Sequence, residues 1–118
     1  MRIAIPLLGD DVAPRFCSAA RVLIVDVVEG REVRREVLAL PPGDIPARVI
    51  TLASMGVTTL LCGGFNRVFR PLAERLGLRL AWRLVGPADA IVAAFLAGAP
   101  LPGGAPCLSL ELDPKDLS

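Results

Sequence analysis

The segment that most constrains the fold is an apolar-looking strand, residues 57–62 (VTTLLC), which lies between two predicted helices. Before it, Asp44 can cap a helix, apolar residues recur at helical spacing from Ile45 to Met55, and Gly56 ends the pattern. After it, residues 65–77 (FNRVFRPLAERLG) predict a second helix. A strand entered and left through helices joins its neighbours in parallel by right-handed crossovers. The pattern therefore predicts an α/β sheet with inner strands buried on both faces.

The N-terminal part of the chain follows a different pattern. Residues 2–8 (RIAIPLL), 20–28 (ARVLIVDVV) and 32–40 (EVRREVLAL) predict three strands. The first two are separated by a loop (GDDVAPRFCS), and the last two by a short turn at Gly30. Because short turns join antiparallel neighbours, these segments predict an antiparallel meander.

The remaining segments complete the predicted order βββαβαβα. Residues 78–82 (LRLAW) predict a fifth strand, and residues 86–98 a third helix with Pro87 at its start and Gly98 at its end. In the second helix, Pro71 allows two interpretations: a regular helix that begins near Arg70 with Pro71 at its first position, or irregular early turns. We expect one α/β domain over residues 1–98, with a five-stranded mixed sheet and helices on both faces. Residues 99–118 form a Pro/Gly-rich tail that contains one alternating segment, CLSLEL.

Composition excludes several classes of protein. The 118 residues are 53% hydrophobic with a net charge of +1, which disfavours disorder and gives no strong field for nucleic acid. No apolar run approaches the roughly 18–20 residues that span a bilayer, and no signal-peptide cleavage region follows the N-terminus. We therefore expect a cytoplasmic protein that binds neither membranes nor nucleic acid. The chain has no histidine, so histidine cannot act as a base or a metal ligand.

Two of the three cysteines lie where a binding site is expected. In open α/β sheets, ligands bind at the carboxyl ends of the strands, where the direction of the chain diverges. Cys17 lies on the loop after the first strand, and Cys62 ends the fourth. We expect both thiols to share one crevice. A reducing compartment and an odd cysteine count argue against a disulfide framework, and the plain alternative is three small buried hydrophobic residues.

The residues around Cys62 suggest an anion site. Gly63 and Gly64 allow the backbone to approach a ligand, and the following helix start would present free N–H groups. Arg15 and Arg67 flank the same mouth and could hold anionic groups. The segment is neither a dinucleotide fingerprint nor a phosphate-binding loop of the GK[ST] type. The alternatives are a tight strand-to-helix turn and solvated surface arginines.

Three segments together resemble a known family. They are "MRIAIP…VAPRFCSAARVLIVDVVEGREV", "GVTTLLCGGF" and "GPADAIVAAFLAG", which look like the dinitrogenase iron–molybdenum cofactor biosynthesis family. The resemblance runs from Met1 to about Gly98. It implies a fold similar to ribonuclease H, and a protein that carries or binds an iron–sulfur or iron–molybdenum-type cluster without being an enzyme. The implied partners are a donor or acceptor protein for the cluster.

The resemblance also implies ligands, with departures. Many members have histidine before the phenylalanine of the first motif, where this chain has Arg15, and glycine after it, where this chain has Cys17. Cluster ligation would therefore rest on thiolates, from Cys17, Cys62 and Cys107. Iron–sulfur clusters usually take four ligands, so one iron site would remain for a partner, an exogenous ligand or a second subunit, as in a homodimer.

Other functions fit the sequence less well. A nuclease of the ribonuclease H type needs several converging carboxylates for two metals, and only Asp10 and Asp11 lie at the right mouth. A thiol oxidoreductase would favour a C-x-x-C motif, which is absent. A non-enzymatic interaction or regulatory module that binds a small anion in the same crevice stays open.

Overall fold

The computed structural model describes residues 1–103, and these form one mixed sheet with helices. The strands are Arg2–Leu8 (β1), Asp11–Val12 (β2), Arg21–Val28 (β3), Arg31–Ala39 (β4), Thr59–Leu61 (β5) and Arg79–Ala81 (β6). The helices are Ile45–Ser54 (α1), Arg70–Arg75 (α2) and Ala88–Ala97 (α3). Phe16–Ser18 and Arg67–Phe69 are short 3-10 helices.

The strand directions confirm the predicted mixed sheet. Its order is β4-β3-β1-β5-β6. The pairs β1–β3 and β3–β4 are antiparallel, whereas β1–β5 and β5–β6 are parallel. The predicted count of five strands is wrong for residues 1–103, because β2 adds a sixth strand inside the predicted loop. This two-residue strand pairs back on β1, with Leu7 opposite Val12, after a turn in which Gly9 has φ +62°.

The central strands are buried on both faces. Every residue from Ile3 to Leu7 in β1 is buried, as are four consecutive residues of β3 beginning at Val22. Because successive side chains of a strand point to opposite faces, both faces of the sheet must be covered there. The edge strand β4 is exposed along nearly its whole length. The core is therefore centred on the strands that also position the loops described below.

The helix ends agree with their sequence signals. The Asp44 side chain accepts a hydrogen bond from the amide of Ala47 at 2.9 Å, and Gly98 ends α3 in a left-handed conformation with φ +68°. Both interpretations of Pro71 hold in part, and the predicted first position of Pro71 is wrong by one residue. The regular helix α2 begins at Arg70 with Pro71 at its second position, and the turn before it is a 3-10 helix.

The predicted tail is described only as far as Gly103. Its first part pairs with the segment after β6: the amide of Val85 donates to the carbonyl oxygen of Pro102 at 3.1 Å, and Leu84 bridges to Gly103. Cys107 and the CLSLEL segment lie outside the described residues. Within residues 1–103, no helix is long and apolar enough to cross a membrane.

Candidate functional site

Three loops meet at one edge of the sheet. Because β1, β5 and β6 run parallel, their carboxyl ends lie at the same edge, which we call the carboxyl edge. The first loop follows β1 (residues 9–20, which include β2), the second follows β5 (residues 62–69), and the third follows β6 (residues 82–87). The strand ends at which the sequence predicts a site are therefore the place where these three loops meet.

The first and second loops are joined through their backbones. The amide of Gly64 donates to the carbonyl oxygen of Pro14 at 2.6 Å, and the amide of Phe16 donates to the carbonyl oxygen of Gly64 at 2.9 Å. The rings of Phe16 and Phe65 pack with their centroids 5.4 Å apart. These contacts fix the backbone immediately before Cys17 against the Gly63–Gly64 turn.

The third loop completes the arrangement. The amide of Arg83 donates to the carbonyl oxygen of Gly63 at 2.8 Å, and that of Leu84 to the carbonyl oxygen of Cys62 at 3.1 Å. The third loop also reaches the first, since the amide of Val12 donates to the carbonyl oxygen of Gly86 at 3.0 Å. The Gly63–Gly64 turn thus lies between the other two loops.

The two described cysteines differ in access. Cys17 is exposed on the 3-10 turn Phe16–Ser18. Cys62 is 0% exposed, and its thiol donates to the carbonyl oxygen of Ala81 at 3.5 Å. Within residues 1–103, no group of three or more histidine, cysteine, aspartate or glutamate residues could hold a metal ion. Ligation through Cys17, Cys62 and Cys107 stays a prediction, and Cys17 is the thiol of residues 1–103 that solvent reaches.

The expected cradle of free N–H groups is wrong at two positions. The amide of Gly64 is bonded to Pro14, because the first loop occupies the space in which an anion was expected. The amide of Val68 donates to the side-chain oxygen of Asn66 at 3.0 Å, and the regular helix begins only at Arg70. The glycine pair serves loop packing instead: a Cβ atom at either glycine would lie 2.9 Å from the carbonyl oxygen of Pro14.

The loops of the carboxyl edge carry exposed charges of both signs, because Asp10 and Asp11 lie on the first loop with Arg15. Arg15 and Arg67 are exposed, and neither forms an ion pair within residues 1–103. Sequence reasoning missed a third arginine, Arg83, which is also exposed and has no ion pair in the same part of the chain. Its position one residue beyond the predicted fifth strand, at the carboxyl edge, could have indicated it.

Arg83 also has an unusual backbone. Its φ of +65° is in the left-handed region, and Glu29, in the hairpin turn before Gly30, is the other described non-glycine residue with positive φ. Such a conformation is costly for a residue with a side chain, and strained residues often cluster at binding sites. Here the strain accompanies the hydrogen bond from Arg83 to Gly63 that holds the third loop against the second.

The fold has counterparts among solved structures. No family model and no curated protein matches the chain. The crystal structure of PH0822 has a TM-score of 0.79 at 22% identity, covering 84% of this chain and 91% of that one. The apo form of the orange protein from Desulfovibrio gigas has a TM-score of 0.67 at 28% identity, covering 89% and 93%. A Thermotoga protein provisionally assigned as a NifB protein has a TM-score of 0.63 at 28% identity, covering 82% and 88%.

These likenesses define the fold. The chain is similar to single-domain α/β proteins over most of its length and most of theirs. The Thermotoga protein and the orange protein are consistent with a nitrogenase-accessory-like family, at 28% identity.

Proposed function

We propose that this protein binds and carries an iron–sulfur or iron–molybdenum-type cluster at its carboxyl edge, as cargo and not as a catalytic centre. The observation that carries the proposal is an exposed thiol, Cys17, on a turn whose preceding residues pair with the Gly63–Gly64 turn. A ribonuclease H-like topology, a donor or acceptor protein for the cluster and a cytoplasmic location belong to the same proposal.

The chemistry of the edge suits such a cargo. Thiolate is a soft ligand that favours iron–sulfur units, and clusters with thiolate and sulfide ligands carry negative charge. Arg15, Arg67 and Arg83 would offset that charge with their guanidinium hydrogen-bond donors. Within residues 1–103, none of the three forms an ion pair with an acidic side chain. One accessible thiolate among arginines would hold a cargo loosely enough for transfer.

The similarity to named proteins adds support. At 28% identity over most of both chains, the apo orange protein and the Thermotoga protein assigned as a NifB protein share the fold that brings these loops together. The first is named as the apo form of an orange protein, and the second carries a provisional assignment as a NifB protein.

Anaerobic reconstitution with ferrous iron and sulfide tests the proposal. We expect the wild type to bind iron and acid-labile sulfide and to gain visible absorbance, and Cys17→Ser to lose most of both. Ser18→Ala changes the neighbouring exposed residue and should load like the wild type. Equal loading of wild type and Cys17→Ser would remove the thiolate site, and a wild type without iron would overturn the cluster.

Cys62→Ser decides whether the buried thiol is a ligand. A loss of iron equal to that of Cys17→Ser, in a folded variant, would assign both thiols to the cluster. Retained iron would leave Cys62 as a core residue. Elemental analysis of the protein purified anaerobically from cells tells iron–sulfur from molybdenum-containing cargo.

A second candidate function is the binding of a small anion without metal. The three arginines favour it, because they provide charge at the edge independently of any thiol. Calorimetric titration of the metal-free protein with molybdate and sulfate tests it. Binding that survives Cys17→Ser and fails when Arg15 and Arg67 are neutralised would support this function over a thiolate-held cluster.

A further inference from the structure

A buried arginine lies beneath the turn that carries Cys17. Arg48, in the first turns of α1, is 6% exposed. Its Nη1 donates to the carbonyl oxygen of Phe16 at 3.1 Å and also to that of Ala19. The helix thus holds a turn that lies about thirty residues earlier in the chain.

Within residues 1–103, no carboxylate balances the charge of Arg48. It forms no ion pair with an acidic residue within residues 1–103. Its Nε is buried and has no hydrogen-bond partner in that part of the chain. Buried charges are normally paired, since an uncompensated one is costly. Two carbonyl dipoles satisfy Nη1 but bring no negative charge.

The two carbonyl groups bracket Cys17. Phe16 begins the 3-10 turn and Ala19 follows it, so the bonds from Arg48 close the segment on both sides of the cysteine. On the other side of the turn, the amide of Phe16 is bonded to Gly64. The backbone that carries the exposed thiol is therefore fixed between α1 and the Gly63–Gly64 turn. Behind it lies a positive charge that no carboxylate of residues 1–103 balances.

We propose that Arg48 is a positioning and selectivity residue that makes the Cys17 turn a site for anionic groups. It fixes the turn through two carbonyl oxygens, and its buried charge is balanced when a negatively charged group binds at Cys17. The inference rests on the proposed function for the identity of the cargo, but its electrostatic part requires no cluster.

Alkylation of Cys17 tests this electrostatic part in the metal-free protein. Iodoacetate is negatively charged and iodoacetamide is neutral, and both react with the same thiolate. The ratio of their rates therefore cancels differences in exposure and in thiolate fraction. The rates are followed by mass spectrometry of the peptide that contains Cys17.

Three variants separate charge from structure. Arg48→Met removes the charge and keeps an unbranched apolar side chain, whereas Arg48→Lys keeps the charge and loses the planar fork. Arg21→Met is the matched control, because Arg21 is an exposed arginine near the same turn. We expect the iodoacetate-to-iodoacetamide ratio to fall at least threefold in Arg48→Met. It should stay within twofold of the wild type in Arg48→Lys and Arg21→Met.

The outcomes are distinct. A ratio in Arg48→Met within twofold of the wild type overturns the inference, and so does an equal fall in Arg48→Lys, since geometry alone would then explain it. If Arg48→Met does not fold, Arg48→Gln replaces it under the same criteria. A wild type that binds no iron overturns the proposed function, whereas the alkylation ratio still decides the role of Arg48.

In a protein that loads iron, the same variants have a second readout. We expect Arg48→Met to release its cluster iron to a chelator about tenfold faster than the wild type, and Arg48→Lys to stay within threefold of it. Release from Arg48→Met at the wild-type rate contradicts a role for Arg48 in holding the cargo.

Discussion

The amide of Gly64 donates a hydrogen bond to the carbonyl oxygen of Pro14 over 2.6 Å, so at this point the loops after β1 and β5 approach one another backbone to backbone. Side chains at the glycine pair would prevent this approach. A Cβ atom at Gly63 would lie 2.9 Å from the same carbonyl oxygen and would collide with that of Ala13. The contact that fixes the segment leading into Cys17 therefore depends on two residues without side chains.

Gly63→Ala should destabilise the protein by about 1–3 kcal/mol, the usual cost of overpacking, because neighbouring backbone must move. Gly43→Ala is the control, since its Cβ would make an ordinary 3.5 Å contact with the Cβ of Ala47 and Gly43 has no positive φ. Denaturant unfolding of the three proteins measures the difference. Equal midpoints for Gly63→Ala and wild type would contradict the close approach.

The two described thiols should react at very different rates in the native state. Cys17 is exposed, whereas Cys62 is fully buried and must wait for local opening before a reagent reaches it. Iodoacetamide labelling followed by peptide mass spectrometry should modify Cys17 at least a hundredfold faster than Cys62. In denaturant, the two rates should become similar. Comparable native rates would show that Cys62 is accessible and reopen its role as a ligand in the crevice.

Arg83→Gly should separate strain from binding. Glycine adopts φ near +65° without steric cost, so we expect stability to stay unchanged or to rise by up to about 1 kcal/mol. Cluster loading or anion affinity should fall, because one arginine leaves the carboxyl edge. Glu29→Gly is the matched control, since Glu29 also has positive φ but lies in the hairpin turn between β3 and β4. Weaker binding in both variants would point to the backbone and not to the guanidinium.

The ion pair between Arg2 and Asp26 should contribute to the loss of stability at acidic pH. Its Arg2 Nε and Asp26 Oδ1 atoms are 2.6 Å apart, across β1 and β3, and this hydrogen bond lowers the pKa of Asp26. The unfolded carboxyl, with a pKa of about 3.9, takes up its proton first as the pH falls. The contribution of Asp26 to the free energy of unfolding is therefore complete above the unfolded pKa. It is lost below that pKa, as the pH approaches the lower pKa of the folded state.

Asp26→Asn should accordingly lower stability at neutral pH and weaken the loss of stability between about pH 4 and pH 2. Glu32 contributes in the same direction, since its hydrogen bond from Arg35 lowers its pKa as well. Asp10→Asn, at an exposed carboxylate with no ion pair within residues 1–103, is the control. Thermal unfolding measured from pH 7 to pH 2 checks the result, and parallel curves for Asp26→Asn and wild type would contradict it.

Local sequence determined most of the secondary structure. The span of β1, the cap at Asp44, the end of α3 at Gly98 and the parallel arrangement around residues 57–62 all follow from short-range signals. Such signals are readable because periodicity, capping and glycine conformation depend on residues within about four positions of one another. The same reasoning placed Cys17 on the loop after β1 and Cys62 at the end of the strand β5, both at the carboxyl edge.

The tertiary structure alone decided how the site is built. Cys62 became a core residue, Gly64 used its amide to bind Pro14, and β2 formed because the chain after β1 folds back on it. Arg48 lies buried against carbonyl groups 32 and 29 positions earlier in the chain, which both accept from its Nη1. These outcomes depend on contacts between loops far apart in sequence, and no local pattern encodes which backbone group will meet which partner once the sheet has brought them together.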